Sequence, residues 1–255
     1  MRKFSLVHRI CLTALLLAIQ IIATRFVGVY VTPYVRLSIG VSVTIFSSLL
    51  LGPISGALIG GCGDILGIVL YNASGVAINP FITITYALMG ATPGLFDMLF
   101  KKIKVDEKRG LIIYNALLLL IWIGVLAFTI TTKEITIFNN KLTLNIIAKI
   151  LIPIITFIVM IAISIFTIFF NRHFKKKCEI YNELSTPYEI AFIVVFIQIV
   201  FTLLINTWIK SAFYGVRFEV VFFPALLLSF IYIPGNTIVV SYLLLLANKT
   251  IRIHS

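Results

Sequence analysis

Charge is scarce in this chain, and acid is scarcer still. Of 255 residues only 12% are charged, and Asp and Glu together number nine. A soluble domain of this size needs far more polar surface to cover its core, so a water-soluble fold is excluded. Cysteine is equally sparse. Cys11, Cys62 and Cys178 have neither metal-ligand nor disulfide spacing, and they read as small apolar filler. The chain contains no Gly-x-Ser-x-Gly, no His-Glu-x-x-His and no P-loop, so no hydrolase elbow, zinc protease or nucleotide site is expected. No catalytic set, no metal ligand set and no cofactor emerges.

Hydrophobic residues are abundant, at 60%, with a mean hydropathy of +1.11. This is the composition of a polytopic membrane protein in contact with lipid. The net charge of +12 does not point to nucleic acid. The basic residues fall in short clusters between apolar spans, as topology signals facing an anionic leaflet do.

A membrane helix needs about 20 apolar residues. Spans are expected at 8–27, 37–51, 53–71, 80–100, 110–131, 143–170, 188–209 and 219–247. The run after Met1-Arg2-Lys3 lacks a small-x-small cleavage site and reads as a retained helix. Pro53 and Pro80 sit at span starts, where a missing N–H costs little. Pro153 and Pro234 fall inside spans and are expected to kink them.

Eight spans place both termini on one side. That side carries Arg2, Lys3 and Arg9, the cluster from Lys101 to Arg109, Arg172 with Lys175, Lys176 and Lys177, and Lys249 with Arg252. The other side carries fewer: Arg25, Arg36, Lys133, Lys141, Lys149, Lys210 and Arg217. The positive-inside rule puts both termini in the cytoplasm. His8, His173 and His254 then lie on the cytoplasmic side, away from any outer site. The outer loops are Thr24 to Arg36, Asn72 to Asn79, Thr131 to Lys141, and Ile209 to Arg217. The third reads as an ordinary connection.

The most informative residue is Asp64, inside the glycine-spaced run from Gly52 to Gly67. A charge at membrane depth costs a few kcal/mol or more and is retained for a partner or a ligand. An outward pocket is expected around Arg25, Arg36 and Asp64, with Arg217 at its rim. Asn79, Thr83, Thr85, Asn206 and Thr207 would add hydrogen bonds. Tyr30, Tyr34, Tyr71, Tyr86, Trp208 and Tyr214 would stack on a flat ring. The alternatives are a structural ion pair of Asp64 with Arg25 or Arg36, snorkelling arginines, and an interfacial aromatic belt. Two small-residue stripes, Ala14 with Ala18 and Gly52 with Gly56 and Gly60, suit either internal packing or a partner in the membrane.

Several segments carry a resemblance. Leu12 to Ala18 with Thr24-Arg25-Phe26, Arg36 to Gly40, Leu51 to Leu58 with Gly63 to Gly67, Asn79 to Thr85 with Gly90 and Gly94, Asn206-Thr207, Tyr214-Gly215, Pro224 and Pro234 follow one another in order. Together they resemble the substrate-binding S component of an energy-coupling-factor (ECF) vitamin transporter of the folate type. The resemblance covers 8–100 and 188–247. It implies an all-α membrane bundle in one domain, 1–255. Its six-helix core would lie at 8–100 and 188–247, with an inserted two-helix hairpin at 101–187.

The resemblance also implies capture of a vitamin, folate or a related pterin, from outside the cell. A transmembrane coupling subunit, docking on Ala14 and Ala18, and two cytoplasmic ABC ATPases would supply the energy. Where the folate type has Arg and then Lys at the start of the last core helix, this chain has Ala225 and Leu228, and its Trp is displaced by one to Trp208. The rival expectations are an S component for another nutrient, a secondary transporter and a membrane enzyme acting on lipid.

Overall fold

The computed structural model describes residues 5–32, 34–71, 75, 77–103, 107–132, 134–137, 140–178 and 186–253. The charge signals Arg2, Lys3, Lys104 and Lys133, and His254, lie outside them. Helix α1 (Leu6–Arg25) starts where the Ser5 hydroxyl accepts the His8 N–H. A hairpin of β1 (Val29–Thr32) and β2 (Val35–Leu37) follows. Helices α2 (Gly40–Leu51) and α3 (Pro53–Leu70) meet at Gly52, whose φ of 101° and ψ of 171° fall in a region open almost only to glycine. Pro53 then opens α3 at no hydrogen-bond cost.

Helix α4 (Pro80–Ile103) returns beside α3, and α5 (Glu107–Thr131) follows. A second hairpin, β3 (Glu134–Ile137) and β4 (Asn140–Thr143), leads into the long α6 (Ile146–Cys178). Helix α7 (Pro187–Ile197) begins with a capping box, in which Thr186 and Glu189 exchange side-chain and backbone bonds. It widens into a π-helical stretch, Gln198–Asn206, and resumes as α8 (Thr207–Tyr214). Gly215 stops it in the left-handed conformation. Helix α9 (Phe218–Ile253) closes the fold with Pro224 and Pro234 inside it.

Among the described residues the fold is thus an all-α bundle of eight rods, counting Pro187–Tyr214 as one. Six are long and apolar enough to cross a membrane, and the protein is a multi-pass membrane protein. The other two differ from the eight alike crossings expected. Helix α2 has only 12 residues, about 18 Å at 1.5 Å per residue against a hydrocarbon core of about 30 Å. It sits inside the bundle, buried on nearly every side by α1, α3, α4 and α9. Helix α4 is long enough, but Thr83, Thr85, Pro93 and Asp97 dilute its hydropathy.

The outer loops differ from expectation as well. In the stretch read as a plain connection and just beyond it, residues 134–137 pair with 140–143 as β3 and β4, and strand β2 takes Leu37, the residue expected to begin the second span. The core runs through Ile45, Ile59, Ile193, Ile197, Leu226 and Ile233. Helices α5 and α6 pack on one another and on α7 and α9. The outer face of α6, from Ile146 to Phe169, exposes large apolar side chains, as a lipid-facing helix does.

Candidate functional site

One cavity gathers most of the polar residues. It has a volume of about 170 Å³, counted as room for the centre of a water molecule. It lies at the end of the bundle where β1–β2, the segment before α4, and α8 come together. Its walls come from α1, α2, α3, α4, β1–β2, the π-helical stretch, α8 and α9. Among the described residues, none of the lining lies in 101–187.

The centre of the site is an ion pair. Arg25, the last residue of α1, brings Nη2 to 3.4 Å from Oδ1 of Asp64 on α3. The same nitrogen donates to the Asp64 carbonyl at 3.2 Å. Thr83 on α4 donates its hydroxyl to the other carboxylate oxygen at 2.9 Å. Both ions are buried, Arg25 at 8% and Asp64 at 7% exposure. Pairing and hydrogen bonding are what make such burial tolerable. Gly67 makes room for this arrangement, because a Cβ there would lie 2.5 Å from Nε of Arg25.

The β1–β2 hairpin delivers Tyr30, Tyr34 and Arg36 to the cavity. The Thr32 hydroxyl accepts the Val35 N–H at 3.0 Å and tightens the turn. From α9, the Tyr232 hydroxyl donates to the Arg36 carbonyl and accepts the Ser38 N–H, so the hairpin exit is fixed to the bundle. Arg36 lies with its guanidinium carbon 5.5 Å from the Tyr30 ring centroid, a cation–π contact. Lys210 of α8 donates to the Tyr34 carbonyl at 2.7 Å.

Of the ten substrate residues expected from sequence, Arg25, Tyr34, Arg36, Asp64, Asn79, Asn206 and Tyr214 line this cavity. Asn79 also caps α4, accepting the Phe81 N–H at 2.9 Å. Thr83 stands behind Asp64 as its hydrogen-bond donor. Thr85 is buried and bonded to its own helix at Phe81. Trp208 is 64% exposed and off the cavity. Its neighbour Thr207 lines the wall instead, and one residue turns a helix by about 100°. Arg217 is exposed and does not line this cavity.

Sequence reasoning missed Gln20, Gln198, Thr202, Lys210 and Tyr232, all of which line the cavity. Gln20 and Gln198 are each a lone polar residue in an apolar stretch, and that was the available signal. Gln198, Thr202, Asn206 and Lys210 recur at intervals of four, which puts them on one stripe of their rod.

The two small-residue stripes part company. Gly52, Gly56 and Gly60 are buried, and the glycine stripe is filled from within. A Cβ at Gly56 would stand 2.1 Å from the Gly90 carbonyl oxygen, and one at Gly60 would stand 2.1 Å from that of Tyr86. Gly52 makes the α2–α3 turn. These three therefore do not offer a free docking face. Ala14 and Ala18 are exposed on α1, beside Leu15, Ile19 and Ile22.

A family model described as "ECF-type riboflavin transporter, S component" matches residues 4–171. No curated protein and no solved structure matches the chain. The match takes in the α1, α2, α3, α4 and β1–β2 walls of the cavity and ends inside α6, so the α8 and α9 walls lie beyond it.

Proposed function

We propose, for a chain that belongs to the family of ECF-type riboflavin transporter S components, that the cavity captures a flat-ring vitamin of the flavin kind. Membership makes the protein the substrate-binding membrane component of a vitamin importer and not an enzyme. The finer reading rests on one observation. Five tyrosines, Tyr30 and Tyr34 of the β1–β2 hairpin, Tyr86 of α4, Tyr214 of α8 and Tyr232 of α9, line the cavity that holds the Arg25–Asp64 pair. Apolar and aromatic walls with a few placed polar groups suit an aromatic heterocycle. The family description supports a flavin ahead of a folate.

The Lys and Arg distribution supports an outward-facing cavity with both chain ends cytoplasmic. The family implies partner subunits, and we assign them as a transmembrane coupling subunit and two cytoplasmic ABC ATPases. The exposed Ala14 and Ala18 face of α1 is the docking surface in this reading, because small residues let another helix approach closely.

Flavin fluorescence provides the test. Titrating riboflavin and riboflavin 5′-phosphate with the purified protein is expected to quench the ring emission, with Kd below about 1 μM for at least one of them. If only folate binds, the flavin assignment falls and vitamin capture stands. If flavins, folate, thiamine and pantothenate all fail to bind, capture itself falls.

A further inference from the structure

The cavity holds four charged side chains: Arg25, Arg36, Asp64 and Lys210. They do not balance. Asp64 is committed to Arg25 through one oxygen and to Thr83 through the other. Among the described residues, the ion pairs are Arg25–Asp64 and Lys101–Asp97. Arg36 and Lys210 therefore face the cavity with no carboxylate in ion-pair reach among those residues.

Their hydrogen bonds go to neutral oxygens. Lys210 donates to a peptide carbonyl, and Arg36 reaches the Tyr30 hydroxyl at 3.4 Å. An ammonium has three donors and a guanidinium five, so both retain donors for a ligand. The two line one cavity, and Lys210 is bonded to the carbonyl of Tyr34, two residues before Arg36. Three cations thus share one cavity with a single carboxylate that Arg25 already engages, and such an excess of buried positive charge is costly at membrane depth. Arg36 and Lys210 come from different elements, β2 and α8. The bond from Lys210 to Tyr34 ties α8 to the turn that precedes Arg36.

We infer that the captured vitamin carries an anionic group, a carboxylate or a phosphate, which sits between Arg36 and Lys210, and that Lys210 selects the charged form over the neutral one. This rests on the reading of the cavity as a vitamin site. Riboflavin itself is neutral, its 5′-phosphate adds a dianion to the same ring, and folate adds carboxylates to a pterin. Phosphates and carboxylates both accept charge-assisted hydrogen bonds from such a pair.

The test compares matched ligands by fluorescence titration and calorimetry on the purified protein. The pairs are riboflavin against riboflavin 5′-phosphate and 6-hydroxymethylpterin against folate. In the wild type, the charged member of one pair is expected to bind at least about tenfold more tightly. Which pair shows the preference identifies phosphate or carboxylate. In Lys210→Met that ratio is expected to fall below about threefold, and in Lys210→Arg to persist. Arg36→Gln, read in the same way, is expected to lower the ratio and serves if Lys210→Met does not fold.

Equal binding of charged and neutral members by the wild type overturns the inference and leaves vitamin capture standing. A full preference in well-folded Lys210→Met removes Lys210 from its role. If no member of either pair and no other vitamin binds, the capture reading fails, and this inference fails with it.

Discussion

Asp64 uses both carboxylate oxygens within the protein, one toward Arg25 and one toward Thr83. Its first role is therefore to hold α1, α3 and α4 at one end of the bundle, and in doing so it makes Arg25 a fixed part of the cavity wall. Removing one partner of a buried pair strands the other charge, at a cost of about 3–5 kcal/mol. Asp64→Ala is expected to lower the thermal midpoint of the purified, ligand-free protein sharply. Thr83→Val removes only one hydrogen bond and is expected to cost about 1 kcal/mol. An unchanged midpoint in Asp64→Ala would show that the pair does not hold the helices. The sequence alone left the partner open between Arg25 and Arg36. The choice depends on Arg25, at the end of α1, lying beside the fourth turn of α3, and on Gly67 leaving space for the guanidinium. Both depend on helix packing, which a linear reading does not contain.

At the scale of elements, the helices were legible because apolar runs of about 20 residues and their prolines mark themselves. What was not legible was which face each helix presents. The glycines of α3 read equally well as a docking stripe or a packing stripe. In the fold Gly56 and Gly60 lie against the backbone of α4, with Gly90 opposite Gly56. The π-helical stretch before α8 was likewise invisible, since it is a matter of hydrogen-bond register and not of composition. The same register decides that Thr207 lines the cavity and Trp208 does not. Lys210 was counted from sequence as a charge on the outer side, and only the fold shows that it turns inward to Tyr34. These two stripes make opposite predictions. Gly60→Ala forces a Cβ toward a carbonyl oxygen and is expected to destabilise the isolated protein by about 1–3 kcal/mol, the usual range for overpacking, seen as a lower melting midpoint. Ala18→Leu adds bulk on an exposed face. It is expected to leave melting and vitamin binding intact and to abolish co-purification with the coupling subunit and transport. Equal loss of melting stability in both variants would mean that the α1 stripe also packs internally.

At the scale of the whole molecule, the bundle divides into rods that build the cavity and a pair, α5 and α6, that lies outside it against α7 and α9. The family match runs through α5 and most of α6, so similarity alone does not separate them. Their connection does reach the site indirectly, because β3 packs against β1 and α9. An isolated two-stranded hairpin is marginal in water, so β1–β2 needs neighbours if it is to hold Tyr30, Tyr34 and Arg36 in place. Tyr232 supplies one anchor, Lys210 another, and β3 a third. The β3–β4 hairpin, in a stretch read from sequence as a plain connection, is in this view a brace on the cavity mouth. Replacing residues 134–143 with a short Gly/Ser linker removes the brace and leaves every lining residue in place. Ligand dissociation, followed by stopped-flow recovery of flavin emission, is then expected to quicken several-fold. The melting midpoint of the ligand-free protein is expected to move little, since most of the apolar core lies in helices that the linker does not touch. A dissociation rate equal to that of the wild type would assign β3–β4 no part in holding the ligand, and the support of the mouth would then rest on Tyr232 and Lys210 alone.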